Sequence, residues 1–238
     1  MSRQPPLWDD RRDAGRALAE RLVRWRGRSD ARVVGLPRGG VVVAAEVAKA
    51  LDLPLVSWAV RKVAHPQAPE LAIGAIAPGG VLLWDEPYLR QLQLDPLLRR
   101  HLVAEQDDEL RRRQRLYGDP APAALRGCHL LVVDDGIATG LTARAALQSL
   151  RLCRPASVVL AVPVLDGTVL PRLETLVDEL EVLAVVDQLS AVGLWYRRFE
   201  QVADADVLAL LTAARRGGSG DPASSGVGPH RRERSDLP

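Results

Sequence analysis

The 238-residue chain reads as an α/β protein built on a central parallel sheet flanked by helices. Three observations predict this. Short apolar runs alternate with helix-period segments from residue 31 to about residue 214, the pattern of strands joined by helical crossovers. Runs such as "VVLAV" are apolar at every position, which suits strands covered on both faces. The chain is 47% hydrophobic but only 4% aromatic, so Leu, Val and Ala must fill the core.

Each element has its own signal. Ala14, Ala17, Leu18, Leu22 and Trp25 recur at helical spacing and predict a helix over about 13–25. "ARVVGL" is a strand, broken by "PRGG", and "VVVAAEVAKAL" is the helix that follows. "LPLVSWAV" is the next strand, ending on Arg61 and Lys62. Two prolines and two short apolar runs joined by "APGG" predict a β-hairpin, 71–77 against 81–84. Residues 85–118 read as a charged helical insertion with a thin apolar stripe at Val103, Leu110 and Tyr117. Its run "ELRRRQR" reads as a solvated helix face.

Further on, "GCHLLVVDD" and "ASVVLAVPV" are strands around the helix "GLTARAALQSLR". "TVLPRLETLVDEL" is helical, with Pro171 tolerated in its first turn, and "EVLAVVD" is a strand. "DADVLALLTAARR" is the last helix, with Asp204 as its N-cap. Residues 1–214 form one domain in this reading. Residues 215–238 are Gly/Ser/Pro-rich without an apolar face and are expected to be a disordered tail.

The bulk numbers limit the function. Net charge is +2, and the tail alone carries five Arg against three acids, so the body balances to zero. That argues against a broad nucleic-acid surface. The two cysteines, Cys128 and Cys153, have no metal-ligand spacing and suit a reducing cytosol. The first residues show no apolar signal region, and no segment approaches the roughly 20 apolar residues of a membrane span. A cytoplasmic protein is the expectation.

In parallel sheets the ligand site lies at the carboxyl ends of the strands. Three such ends carry reactive residues: "GLPRGG", Arg61-Lys62 and "DDGIATGLT". The last combines two chemistries. A loop almost without side chains lets backbone N–H groups converge, and a helix start adds open donors and the positive dipole end. Thr139 and Thr142 add hydroxyls, so the loop suits a phosphate. It has neither the GK[ST] ending of a Walker loop nor GxGxxG. Asp134 and Asp135 would repel a bare anion. They suit the hydroxyls of a sugar diol or a divalent cation such as Mg²⁺. A 5-phosphorylated ribose satisfies both halves. A dehalogenase-type phosphohydrolase needs Asp-x-Asp, whereas these acids are adjacent.

Four apolar residues, two acids, three variable positions and Thr-Gly-x-Thr resemble the phosphoribosyl-pyrophosphate (PRPP) motif of the type I phosphoribosyltransferases. The resemblance implies that Asp134 and Asp135 hold the ribose hydroxyls. It implies that Gly136, Ile137, Ala138, Thr139, Gly140, Leu141 and Thr142 hold the 5-phosphate. Pro37, Arg38, Gly39 and Gly40 resemble the family's pyrophosphate loop. Arg61 and Lys62, followed by a proline-containing hairpin, resemble its mobile catalytic loop. "RK…P…PELAIGAI" and "AVGLWYRRFEQVAD" resemble a narrower bacterial group within the family.

The implied reaction is Mg²⁺-dependent transfer of 5-phosphoribosyl from PRPP to a base nitrogen or related nucleophile, with pyrophosphate released. Catalytic roles fall to Asp134, Asp135, Arg38, Lys62 and Arg61. Glu70, Trp195, Tyr196 and Phe199 are candidates for the acceptor pocket. For the aromatic three, anchoring of the C-terminal helix is the competing role. A small hood over the sheet would come from the N-terminal segment, from 85–118 or from "GLWYRRF". A homodimer is a candidate assembly. The alternative is a regulator on the same fold that senses PRPP or a nucleotide without catalysis.

Overall fold

The computed structural model describes residues 6–92 and 94–217. In chain order, α1 (Arg11–Arg21) is followed by a 3-10 turn (Val23–Trp25), β1 (Ala31–Gly35), α2 (Gly39–Leu51) and β2 (Leu55–Ser57). Three further strands come next, β3 (Arg61–His65), β4 (Ala68–Ala77) and β5 (Val81–Trp84). Helices α3 (Glu86–Leu92), α4 (Pro96–Tyr117) and α5 (Pro122–Leu125) lead back to β6 (His129–Val133). Then α6 (Leu141–Leu152), β7 (Ser157–Asp166), α7 (Leu170–Glu174) and β8 (Glu179–Val186) alternate. A 3-10 turn (Val192–Trp195) and α8 (Asp204–Gly217) complete the described chain.

The central sheet has the order β2-β1-β6-β7-β8 with every pairing parallel. Alternation along each strand sorts its residues into two cores. Val34, Leu130, Val132, Val158, Leu160 and Val162 pack with Leu147 and Leu150 of α6. Val33, Leu131, Val133, Val159 and Ala161 pack with Leu18 of α1, Val43 and Val47 of α2, and Val207 and Leu211 of α8. Both faces are covered, which is why these strands need no polar positions. A second sheet, β3-β4-β5, is antiparallel. Its Ala75 and Ala77 join the α6 core, while Val63, Ile73 and Ile76 pack with Leu89 of α3 and Leu110 of α4.

Several expected elements shift. The first helix begins at Arg11, where Asp10 accepts from the N–H groups of Arg12 and Asp13, and tightens into the 3-10 turn after Arg21. The expected helix over 168–180 shrinks to Leu170–Glu174. Asp178 turns its carboxylate to the N–H of Val158 (2.7 Å), and the chain starts β8 one residue later. Asp204 does not cap α8 but accepts from Tyr117 and Arg112. α8 itself runs to Gly217, three residues into the expected tail; residues 218–238 lie outside the described residues.

The strand expected to end on Arg61 and Lys62 instead ends at Ser57. A carboxylate holds the chain at this point: Asp119 accepts from Ser57 Oγ and from the Ala59 N–H, both at 2.6 Å. Arg61 and Lys62 therefore open the second sheet, with Lys62 opposite Ala75.

Burial raises Asp119 to about 6, against the two hydrogen bonds that lower it. The folded chain holds this proton above pH 3.8, where the unfolded chain releases it. Its stabilising contribution is thus complete below the unfolded value and is lost as pH rises through about 6. Thermal melts of wild type and D119N should diverge in favour of the variant from about pH 4 to about pH 6. Parallel melting curves across that window would show that Asp119 does not titrate there.

Candidate active site

The β1 and β6 strands are neighbours, with Gly35 in register with Val133. From them the sheet grows outward in both directions, to β2 on one side and β7 on the other. The switch point between the two halves therefore brings residues 36–40 beside residues 134–140. Open α/β sheets take ligands in such a crevice.

The two loops touch. A Cβ on Gly39 would stand 1.9 Å from Asp135 Oδ2, and one on Gly40 would stand 2.8 Å from Asp134 Oδ1. The glycines let the backbone of one loop lie directly on the carboxylates of the other. Arg38 precedes them across a cis peptide after Pro37, with Nη1 3.9 Å from Asp204 Oδ1. Burial, then the charge of Asp135, raises Asp134 well above the usual carboxylate range. Burial raises Asp135 as well, opposed by the guanidinium of Arg11.

Next to the acids, the loop 136–142 divides its work. The Ile137 N–H donates to Val164 O and its carbonyl accepts from Asp166, an isolated bridge that pins the loop to β7. The Ile137 amide is thus committed to the fold, which corrects its expected place among the phosphate donors. Leu141 is buried. Gly140 takes φ +71° at the entry to α6, where no side chain caps the helix. The N–H groups of Leu141, Thr142 and Ala143 make no hydrogen bond among the described residues. They are first-turn donors aimed out of a helix start.

Arg61 stands apart from the acids. Its guanidinium donates to Gln106 Oε1 of α4 at 3.1 and 2.8 Å. Burial lowers its pKa, reinforced by the positive charge of Arg113 and Arg38. Lys62 is partly buried next to it on β3. The side chain of Glu70 lies outside the described residues. The "ELRRRQR" run departs from a simple solvated face. Arg111 is 60% exposed, but Arg113 is only 11% exposed and pairs with Glu109.

Of the candidate hood segments, the N-terminal residues and the "GLWYRRF" region join each other beside the acids. The N–H groups of Leu7 and Trp8 donate to Trp195 O, and Arg197 and Arg198 donate back to Trp8 and Asp9. Tyr196 is buried between Trp8 and Phe199, at ring distances of 5.6 and 5.0 Å. Its hydroxyl donates to the backbone carbonyl of Asp135 at 2.6 Å. Trp195 contributes its carbonyl, and Tyr196 is an anchor. Phe199 lines a cavity of about 340 Å³ shared with Arg11, Arg38, Gly39, Glu200, Gln201 and Val202.

Arg11 is the site residue that sequence reasoning missed. Its Nε donates to Asp135 Oδ2 at 2.6 Å, and its Nη1 donates to Glu200 O at 2.8 Å. A signal existed: Arg11 continues the stripe of buried Ala14 and Leu18 at helical spacing. A charged residue on the apolar face of a helix calls for a partner. Among the described residues, no group of three or more His, Cys, Asp or Glu side chains could hold a metal ion, and no helix is long and apolar enough to cross a membrane.

The phosphoribosyl transferase domain model matches residues 8–187. Two curated Mycobacterium tuberculosis sequences, "Putative phosphoribosyl transferase MT0597" and "Putative phosphoribosyl transferase Rv0571c", are each 44% identical over 211 residues. The match covers 88% of this chain and 47% of each relative, so the chain spans about half their length. The crystal structure of TT1426 from Thermus thermophilus is 40% identical with a TM-score of 0.67, covering 87% of this chain and 98% of that one. The chain belongs to the phosphoribosyl transferase domain family.

Among the described residues, the Tyr196 hydroxyl makes the one side-chain bond from the hood to the backbone of the acid pair. Y196F would leave the Asp135 carbonyl without it and should destabilise the fold by about 1–2 kcal/mol. Chemical denaturation measures this directly, and an unchanged midpoint would refute it.

Proposed function

We propose that this member of the phosphoribosyl transferase family transfers the 5-phosphoribosyl group of PRPP to a nitrogen nucleophile and releases pyrophosphate. One observation carries the reading: the acid pair rests directly on the backbone of Gly39 and Gly40. A ligand that uses the acids at one end therefore meets the "PRGG" loop within one bond length or two. PRPP has that layout, with a ribose diol next to a C1 pyrophosphate. The open helix start at 141–143 is a receptor for its 5-phosphate.

The chemistry follows from this placement. The C1–O bond to pyrophosphate breaks with its electron pair going to the leaving group, and C1 gains oxocarbenium character. The nucleophile's lone pair closes the new C1–N bond, and its proton is lost to solvent. Arg38 and the amides of the loop it opens favour the charge that develops on the leaving oxygen. The carboxylates of Asp134 and Asp135 hold the diol and favour positive charge on the ring. The 5-phosphate contacts supply remote binding energy that orients the sugar.

Two adjacent carboxylates are hard oxygen donors that fit Mg²⁺ when the substrate and water supply its other ligands. Bound there, the ion would neutralise charge on the pyrophosphate oxygens. Arg61 and Lys62 open the small sheet, and we place them with Arg38 on the leaving-group side. The acceptor is assigned to the Phe199 cavity. We assign the chain through Gly217, the end of α8, to one domain and the protein to the cytoplasm.

A pyrophosphate-release assay with PRPP, Mg²⁺ and a panel of bases tests the reading. D135N and R38A should each lower turnover by roughly 100-fold or more, with melting curves to confirm that both variants fold. Wild-type turnover in both variants would refute the site assignment.

A further inference from the structure

Asp135 has a protein partner at the very oxygen a ligand would need. Arg11 reaches it from α1 and is held on three sides: Asp135 Oδ2 at 2.6 Å, Glu200 O at 2.8 Å, and the Phe199 ring, whose centroid is 3.6 Å from Cζ. Arg11 and Asp135 are 11% and 15% exposed. The pair lies over Gly39, where a Cβ would be 2.8 Å from Arg11 Nε and 1.9 Å from Asp135 Oδ2. It thus covers the junction of the two loops. Beside it opens the cavity of about 340 Å³ lined by Arg11, Arg38 and Phe199, so the guanidinium has somewhere to go.

We propose that Arg11 is a resident counter-ion of the acid pair, which gives up Asp135 to the incoming sugar phosphate and its divalent cation and turns into the adjoining cavity. The inference rests on PRPP being the donor. A buried carboxylate left without a partner is costly, and the fold supplies a cation of its own in Arg11. Donor binding then exchanges one cation for another and takes up part of its own binding energy in breaking the pair. The Phe199 face and the Glu200 carbonyl line the same cavity, so they remain within reach of the displaced guanidinium. There it joins Arg38, and the cavity that receives the acceptor gains a guanidinium released from Asp135 only once the donor is in place. Arg11 is in this sense a positioning residue that couples the two substrates.

Calorimetric titration of PRPP with Mg²⁺ into wild type, R11Q and R11K tests the exchange, with melting curves to check the fold. R11Q should bind roughly tenfold tighter, because the competing ion pair is gone. Millimolar guanidinium ion should bring its affinity back toward wild type, a response that a merely structural role of Arg11 would not give. Turnover of R11Q should fall even as its donor affinity rises. If R11Q does not fold, R11K, which keeps the charge without the planar fork, should show a smaller gain. Wild type that binds PRPP while the folded variants bind equally or more weakly overturns the exchange and leaves the donor reading intact. Absence of PRPP binding in wild type and variants alike overturns the donor reading and the exchange with it.

Discussion

The candidate site depends on the absence of two side chains. Gly39 and Gly40 stand where any Cβ would collide with the carboxylates of Asp135 and Asp134. The contact exists because β1 and β6 are sheet neighbours although about a hundred residues separate them in sequence. The parallel register delivers both chains to the same edge at the same height. Each then turns into a helix start, α2 at Gly39 and α6 at Leu141. Two positive dipole ends and two carboxylates are thereby concentrated in one crevice. Neither half is stable chemistry alone: the acids need a counter-charge, and the open N–H groups need an acceptor.

Helix α1 supplies part of that counter-charge through Arg11, and the hood holds it in place. Residues 7–9 and 195–198 cross-link by backbone bonds, and the aromatic rings of Trp8, Tyr196 and Phe199 pack behind them. The arrangement does two jobs with one set of residues. Tyr196 fixes the backbone of Asp135, while Phe199 and the Glu200 carbonyl hold Arg11 against its side chain. A nine-aromatic chain that places three of them within five positions is using scarce bulk to build this wall.

What was legible in the sequence follows from the range of the forces involved. The parallel sheet and the Asp134–Asp135 loop could be read because they rest on local signals: apolar runs, helix periodicity, glycines at a turn. The end of β2 could not, since the chain there is held by Asp119, a carboxylate about sixty residues away that accepts from Ser57 Oγ and the Ala59 N–H. The role of Ile137 was hidden for the same reason, its amide being taken by Val164 across the sheet. The short α7 turns on Asp178 bonding back to Val158. Arg11 lies between these cases. Its place on a buried stripe is a local fact, but its partner is 124 positions on.

Arginine and carboxylate also meet on the opposite side of Arg38. Asp204 accepts from the Tyr117 hydroxyl at 2.6 Å and from Arg112 at 2.8 Å, and Arg38 approaches its Oδ1 at 3.9 Å. Arg112 is itself shared with Glu109, but Asp204 also has the Tyr117 hydroxyl and so keeps two donors without Arg38. Burial, then the bond to Asp204, raises Tyr117 to about 12, which keeps it a neutral donor. Arg38 is therefore the weakest member of this network. At 3.9 Å it gains from Asp204 by charge alone, without a hydrogen bond. An oxyanion arriving beside Gly39 could take up its donors while Asp204 kept Tyr117 and Arg112. The fold thus holds Arg38 near the crevice with a partner it can leave cheaply, and Asp135 with a partner in Arg11 that it must be made to give up.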